Sequence, residues 1–61
     1  MSDIDRLIRL PEVENIVGLK RTQIYEMVKT HSFPAPVKLG RASRWSLRAV
    51  SAWMDRLVAA E

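Results

Sequence analysis

Two short helical patterns separated by one glycine constrain this chain more than any other feature. In "PEVENIVG", residues 11–18, Pro11 suits a first helical position, where its missing N–H would be unpaired anyway. Glu12 and Glu14 complement the positive end of the helix dipole, and Gly18 suits the left-handed residue that closes a helix. Val13, Ile16 and Val17 stand at i, i+3 and i+4, so they share one apolar face. A second pattern starts directly afterwards: in "KRTQIYEMVKTH", Ile24, Met27 and Val28 share a face, with Arg21, Gln23, Tyr25 and Glu26 beside or opposite it. That leaves only Gly18 to Lys20 for the connection, the sequence outline of a helix-turn-helix.

The flanking segments add a small amount of strand and a third helix. "RLIRL", residues 6–10, predicts a short edge strand before Pro11. Pro34 and Pro36 in "SFPAPVKLG" prevent the second helix from continuing, and Phe33 is the apolar plug there. Val37 and Leu39 alternate with Lys38 in a strand, Gly40 begins a turn of three or four residues, and "SRWS" returns. In "KLGRASRW", then, Val37, Leu39 and Trp45 anchor a hairpin on both sides of the glycine. Ser46 is an N-cap for "LRAVSAWMDRLVAAE", where Val50, Trp53, Met54 and Leu57 give core-facing spacing. The expected fold is mainly α with a small β-hairpin: three helices plus a wing, a winged helix-turn-helix forming a single unit over residues 1–61.

A chain of 61 residues buries only about 60% of its unfolded surface, which favours a binding surface over an enclosed catalytic pocket. It has no cysteine, hence no disulfide framework and no thiolate metal site. Asp3 with Asp5, and Glu12 with Glu14, are spaced i, i+2, which does not bring carboxylates together on a helix. Neither pair has the histidine or third carboxylate that a metal or hydrolytic site needs. No enzyme activity, cofactor or metal is therefore expected. The acidic start "MSDID" is unlike a secretory leader, and no apolar run reaches membrane-spanning length, so the expectation is a soluble cytoplasmic protein with no membrane partner.

Charge distribution points to the partner. Between Gly18 and Arg48 seven cations stand against Glu26 alone, while the flanks hold three cations and six carboxylates. A basic middle of this kind suits a polyanion, most often nucleic acid, with a solvated cationic face as the lesser alternative, since a charge run alone is unspecific. Lys20 and Arg21 sharpen the choice, because they occupy a helix N-terminus, where the dipole disfavours cations by about 0.3–1 kcal/mol each. A phosphate backbone reverses that penalty. In a helix-turn-helix the same residues enter the major groove, where Arg21 can take guanine O6 and N7, Gln23 can pair with adenine, and Thr22 offers a hydroxyl and a methyl. Tyr25 suits a phosphate contact through its hydroxyl, sideways packing on the core, or both. Strand alternation turns Trp45 inward and Arg44 outward, with Arg41 and Ser43 near the tip, where they would meet phosphates or the adjacent minor groove. His31, near the end of the second helix, serves that helix end.

Taken together, "RLPEV", then "GL-R-T-IY", "FP-PVKLG", "RW" and "V-AWM" at these intervals resemble the AlpA family of phage regulators, relatives of MerR-type and excisionase winged-helix proteins. The resemblance runs from Leu7 to about Leu57. It implies a double-stranded-DNA-binding transcriptional regulator of recombination or excision genes in a prophage or mobile element. The alternative it implies is an excisionase that binds and bends DNA at attachment sites. By position, Lys20 to Gln23 and Tyr25 match the recognition helix, Arg41, Ser43 and Arg44 the wing, and Ile24, Trp45, Val50 and Trp53 the core. Lys20 replaces the serine usual in the family, and Arg48 places another cation at a helix start near the wing. A nucleoid-associated bacterial protein follows, with integrase or RNA polymerase as protein partners and a weak or DNA-dependent homo-oligomer on adjacent sites.

Overall fold

The computed structural model describes residues 4–60, which form β1 (Leu7–Ile8), α1 (Leu10–Val17), α2 (Arg21–Lys29), β2 (Val37–Leu39), β3 (Ala42–Ser46) and α3 (Leu47–Ala59). β3 is central in a three-stranded antiparallel sheet of order β1-β3-β2. Three helices on this small sheet make the winged helix-turn-helix arrangement that the sequence predicts, with β1 as the expected edge strand.

Local chemistry sets the helix ends. α1 begins at Leu10, so Pro11 takes the second helical position and Arg9 the cap, its N–H donating to Glu12 Oε1 at 3.1 Å. Glu12 also pairs with the Arg6 guanidinium at 2.9 Å, an exposed contact of small energetic value. The Arg9 N–H, helped by the Arg6 charge, holds the Glu12 carboxyl below its ordinary range. α1 ends as predicted at Gly18, at φ 73°, whose N–H donates to the Glu14 carbonyl at 2.8 Å. A Cβ there would meet nothing within 4 Å, so the requirement for glycine lies in the backbone angle and not in space. α2 ends differently. His31 takes φ 63°, the Ser32 N–H reaches back to the Met27 carbonyl at 2.7 Å and the His31 N–H to Val28 at 3.1 Å. Those two bonds are a Schellman closure with histidine in the place glycine usually holds.

The core takes one fully enclosed side chain from nearly every segment: Ile8 from β1, Val13 from α1, Ile24 from α2, Phe33 from the α2–β2 connection, Trp45 from β3 and Val50 from α3. The Trp45 indole N–H donates to the Pro34 carbonyl at 3.0 Å, and that of Trp53 to the Ser32 carbonyl at 2.7 Å. Phe33 is clamped between these two anchors and meets Trp53 edge-on, ring centres 4.7 Å apart. A Pro-interrupted connection is thereby held without secondary structure of its own.

Three sequence expectations are corrected here. Leu39 pairs with Ala42, so the hairpin turn is Gly40-Arg41, two residues and not three or four. Gly40 has φ 64° and Arg41 does not share the positive angle, the pattern of a type II′ turn, whose twist matches that of the strands. Val37 and Leu39 are 44% and 51% exposed and do not anchor the hairpin, because their register pairs them with the outward side of β3. Finally, Ile16 and Leu57 are 38% and 52% exposed: the apolar stripes of α1 and α3 run past a core too small to cover them.

β1 and α3 are joined by a polar knot. Ser46 caps α3 by accepting from the Ala49 N–H at 3.1 Å, as the sequence predicts. Its hydroxyl in turn donates to Asp5, whose other carboxylate oxygen accepts from the Arg48 N–H at 3.0 Å and the Arg6 N–H at 2.7 Å. Leu47 N–H completes the set by donating to the Arg6 carbonyl at 2.8 Å. The first N–H groups of α3 are therefore all satisfied within the chain. Asp5, which as half of an Asp pair carries no chemistry, is a helix cap supplied from across the fold; Asp3 lies outside the described residues.

Two outcomes are expected. The Ser46 hydroxyl and then the Arg48 N–H hold the Asp5 carboxyl below its ordinary value. A carboxyl depressed in the folded state stabilises above its unfolded value near 4 and loses that contribution as pH falls through the folded one. The stability gap between the wild type and Asp5→Asn, measured by urea unfolding, is thus full at pH 6 and shrinks below about pH 4; a pH-independent gap would refute the linkage. At His31, a glycine removes the left-handed penalty at some entropic cost, so His31→Gly raises stability by about 0.5–1 kcal/mol, roughly 4 °C in a thermal melt, whereas His31→Val lowers it.

Candidate nucleic-acid interface

The buried side of α2 sets which of its residues face outward. Ile24 is fully enclosed, with Met27 and Val28 half-buried beside it, so Arg21, Thr22, Gln23, Tyr25, Glu26 and Lys29 are turned to solvent. Arg21, Thr22 and Tyr25 line one shallow depression, together with Glu26, Val28 and Lys29. Lys20 and Gln23 stand outside it, Gln23 on the other flank of the helix. The predicted recognition residues thus divide into two rows instead of forming one patch.

The start of α2 is open. Lys20 adopts the extended cap geometry, φ −89° and ψ 161°, but its side chain caps nothing. Ile24 N–H is the first to find a helical carbonyl, that of Lys20 at 3.0 Å. The N–H groups of Arg21, Thr22 and Gln23 consequently have no bonded partner among the described residues, at a helix start that carries Lys20 and Arg21. α3 presents the opposite arrangement, its N–H groups sealed by Asp5 and Ser46. Arg48 therefore stands beside a carboxylate and not at a vacant helix end.

Tyr25 links α2 to the sheet. Its ring is tilted against Trp45 at 5.9 Å between centres, while the residue stays 41% exposed, so it packs sideways and presents its edge to solvent at once. Trp45 shares its face of β3 with Ser43, and cross-strand pairing brings Lys38 to the same face. Lys38 Nζ donates to Ser43 Oγ at 3.1 Å. Arg44 projects from the other face opposite Val37, its guanidinium folded back on the Ser43 carbonyl at 3.0 Å, and Arg41 sits in the turn. The three predicted wing residues are thus dispersed over the tip and both faces of the hairpin.

Lys38 is a cation that sequence reasoning did not single out, as is Lys29 in the depression on α2. The position of Lys38 is readable only with the hairpin register, since a turn one residue longer would break the pairing with Ser43. Among the described residues no cluster of three metal-ligating side chains occurs, and no helix is long and apolar enough to cross a membrane.

Comparison with known proteins places this arrangement. Residues 6–58 match the family model described as prophage CP4-57 regulatory protein (AlpA), a span covering all six elements but the end of α3. A protein of Enterobacteria phage P4, uncharacterized protein ORF88, is 39% identical over 56 residues; these are 90% of this chain and 64% of that relative, so the chain spans a little under two thirds of its length. No solved structure matches the chain significantly. With the matched segment running from the Arg6–Glu12 pair through the helix-turn-helix and hairpin to the last turn of α3, the chain belongs to the family of the prophage regulatory protein AlpA.

Proposed function

We propose that this chain binds double-stranded DNA and regulates recombination or excision genes of a prophage or related mobile element. In this reading α2 enters the major groove while the β2–β3 hairpin meets the flanking backbone. The observation that carries it is the contrast between the two helix starts. The N–H groups that begin α3 are satisfied by Asp5, Ser46 and the Arg6 carbonyl, whereas α2 begins with Lys20 and Arg21 and its first N–H groups have no partner among the described residues. Leaving a helix end bare and adding cations to it costs stability in isolation; a phosphate at that end removes both penalties together.

Roles follow from position. Lys20 and the N–H groups at the start of α2 hold a phosphate; Arg21 and Thr22 reach base edges, with Gln23 on the adjoining flank. Tyr25 places its hydroxyl at the backbone while its ring braces Trp45. Arg41, Ser43 and Arg44 approach the neighbouring phosphates or minor groove, joined by Lys38. Arg48 adds to the positive field, reduced by the adjacent Asp5. Family membership supports a regulatory role, and the concentration of cations in residues 18–48 supports a polyanionic partner.

About five phosphate contacts give a log–log dependence of affinity on salt near −4 to −5. Fluorescence anisotropy on a duplex selected from a random pool, at 50 to 200 mM salt, measures that slope. Lys20→Ala is expected to weaken binding to all duplexes alike and to make the slope shallower by about 1, whereas Arg21→Ala costs about 1–3 kcal/mol chiefly on the selected sequence. An affinity indifferent to salt over this range would overturn the proposal.

A further inference from the structure

We propose that Glu26 is a specificity determinant of the α2 face: its carboxylate selects a base that presents an amino group in the major groove, cytosine in first place, and discriminates against the others. The inference rests on α2 being the groove-entering helix and adds to that reading a residue of the opposite charge.

Rotation of α2 carries the argument. Ile24 is fully enclosed, which fixes the inward direction of the helix. Each residue turns the helix by about 100°, so Thr22 and Glu26, two positions either side of Ile24, both lie about 200° from it, on the outward crest. Arg21 and Tyr25 fall on one flank of that crest and Gln23 on the other. A helix entering a groove along this face leads with Thr22 and Glu26. Position 26 cannot be rotated off this crest without exposing Ile24.

Glu26 is also the sole acid among the seven cations of residues 18–48. It is exposed, and it forms no ion pair with any described residue, unlike Glu12, whose charge is taken up by Arg6. It is therefore not needed to neutralise a neighbour within the fold. Lys29 and Arg21 border the same depression and supply the positive field that lets a carboxylate approach DNA.

What it meets there decides its effect. Guanine shows only acceptors in the major groove, and thymine an acceptor and a methyl, so a carboxylate opposite either loses its hydration without gaining a bond. Adenine N6 donates, but the N7 acceptor beside it repels a second carboxylate oxygen. Cytosine N4 donates without that competing acceptor. The residue works as much by excluding wrong bases as by binding the right one, the usual way in which specificity is gained at a cost in general affinity.

The test is selection from a random duplex pool with the wild type, Glu26→Gln and Glu26→Ala, followed by affinities for the selected, singly substituted and unrelated duplexes. The wild type is expected to favour cytosine at one position by about 5- to 150-fold. Glu26→Gln moves that position toward adenine, for which an amide has matching donor and acceptor, and Glu26→Ala loses the preference while binding unrelated duplexes several-fold more tightly. Thermal melts of the exposed-site variants that match the wild type exclude a folding effect. The same preferences in all three proteins, or a uniform loss across all sequences, would overturn the role of Glu26 and leave the groove-entering role of α2 intact. A wild type that shows no salt-dependent duplex binding would overturn both.

Discussion

The buried indole of Trp45 is the contact on which the other elements depend. It sits on the central strand, pairs across to Ile8 of β1, carries Tyr25 of α2 on its ring, and donates its N–H to the connection that follows α2. Removing a ring of this kind from a core typically costs about 3–5 kcal/mol. At about 0.05–0.15 kcal/mol per residue, that is comparable to the entire stability expected of a chain this size. A second indole, that of Trp53, repeats the device on the other side of Phe33. Between them the two N–H groups tie down an irregular, proline-interrupted segment at the Ser32 and Pro34 carbonyls.

This economy explains where the exposed surface is spent. With one enclosed side chain from each of five elements, the core leaves the far ends of α1 and α3 uncovered, and it leaves β2 outside altogether. The same enclosure gives α2 a fixed rotation, because Ile24 has only one direction in which to be buried. Polar residues on the remaining faces of α2 are then held at set angles by a helix only nine residues long. The hairpin gains its rigidity differently, from a two-residue turn and a Lys38–Ser43 contact on the face it shares with Trp45.

Electrostatics divide the molecule along the same lines. Two carboxylates serve the fold: Glu12 on the start of α1 and on Arg6, and Asp5 across the start of α3. The start of α2, by contrast, carries the cations Lys20 and Arg21 and no acidic residue. Glu26 is the one acid within the basic stretch of residues 18–48. Both fold-serving carboxyls, Asp5 and Glu12, are held below their ordinary range, which gives the fold an acid sensitivity.

Much of this architecture was legible in the sequence because its signals are local. Gly18 ends α1 since left-handed backbone suits glycine, the i, i+3, i+4 spacing shows which side of α2 is apolar, and Ser46 caps the helix that follows it. The excess of cations in residues 18–48 is likewise read directly from the chain. What the sequence left open is what depends on partners distant in the chain. The turn at Gly40-Arg41 is decided by strand register, which sends Val37 and Leu39 outward and brings Lys38 to Ser43. Asp5 becomes a helix cap only because β1 is laid against β3, some forty positions later in the chain. The stripe of Leu57 outruns the core because periodicity reports the direction a side chain faces and not whether anything is there to cover it. The sequence thus determined the elements, most of their ends and where the positive charge lies; tertiary packing alone decided rotation, register and which helix start was left open.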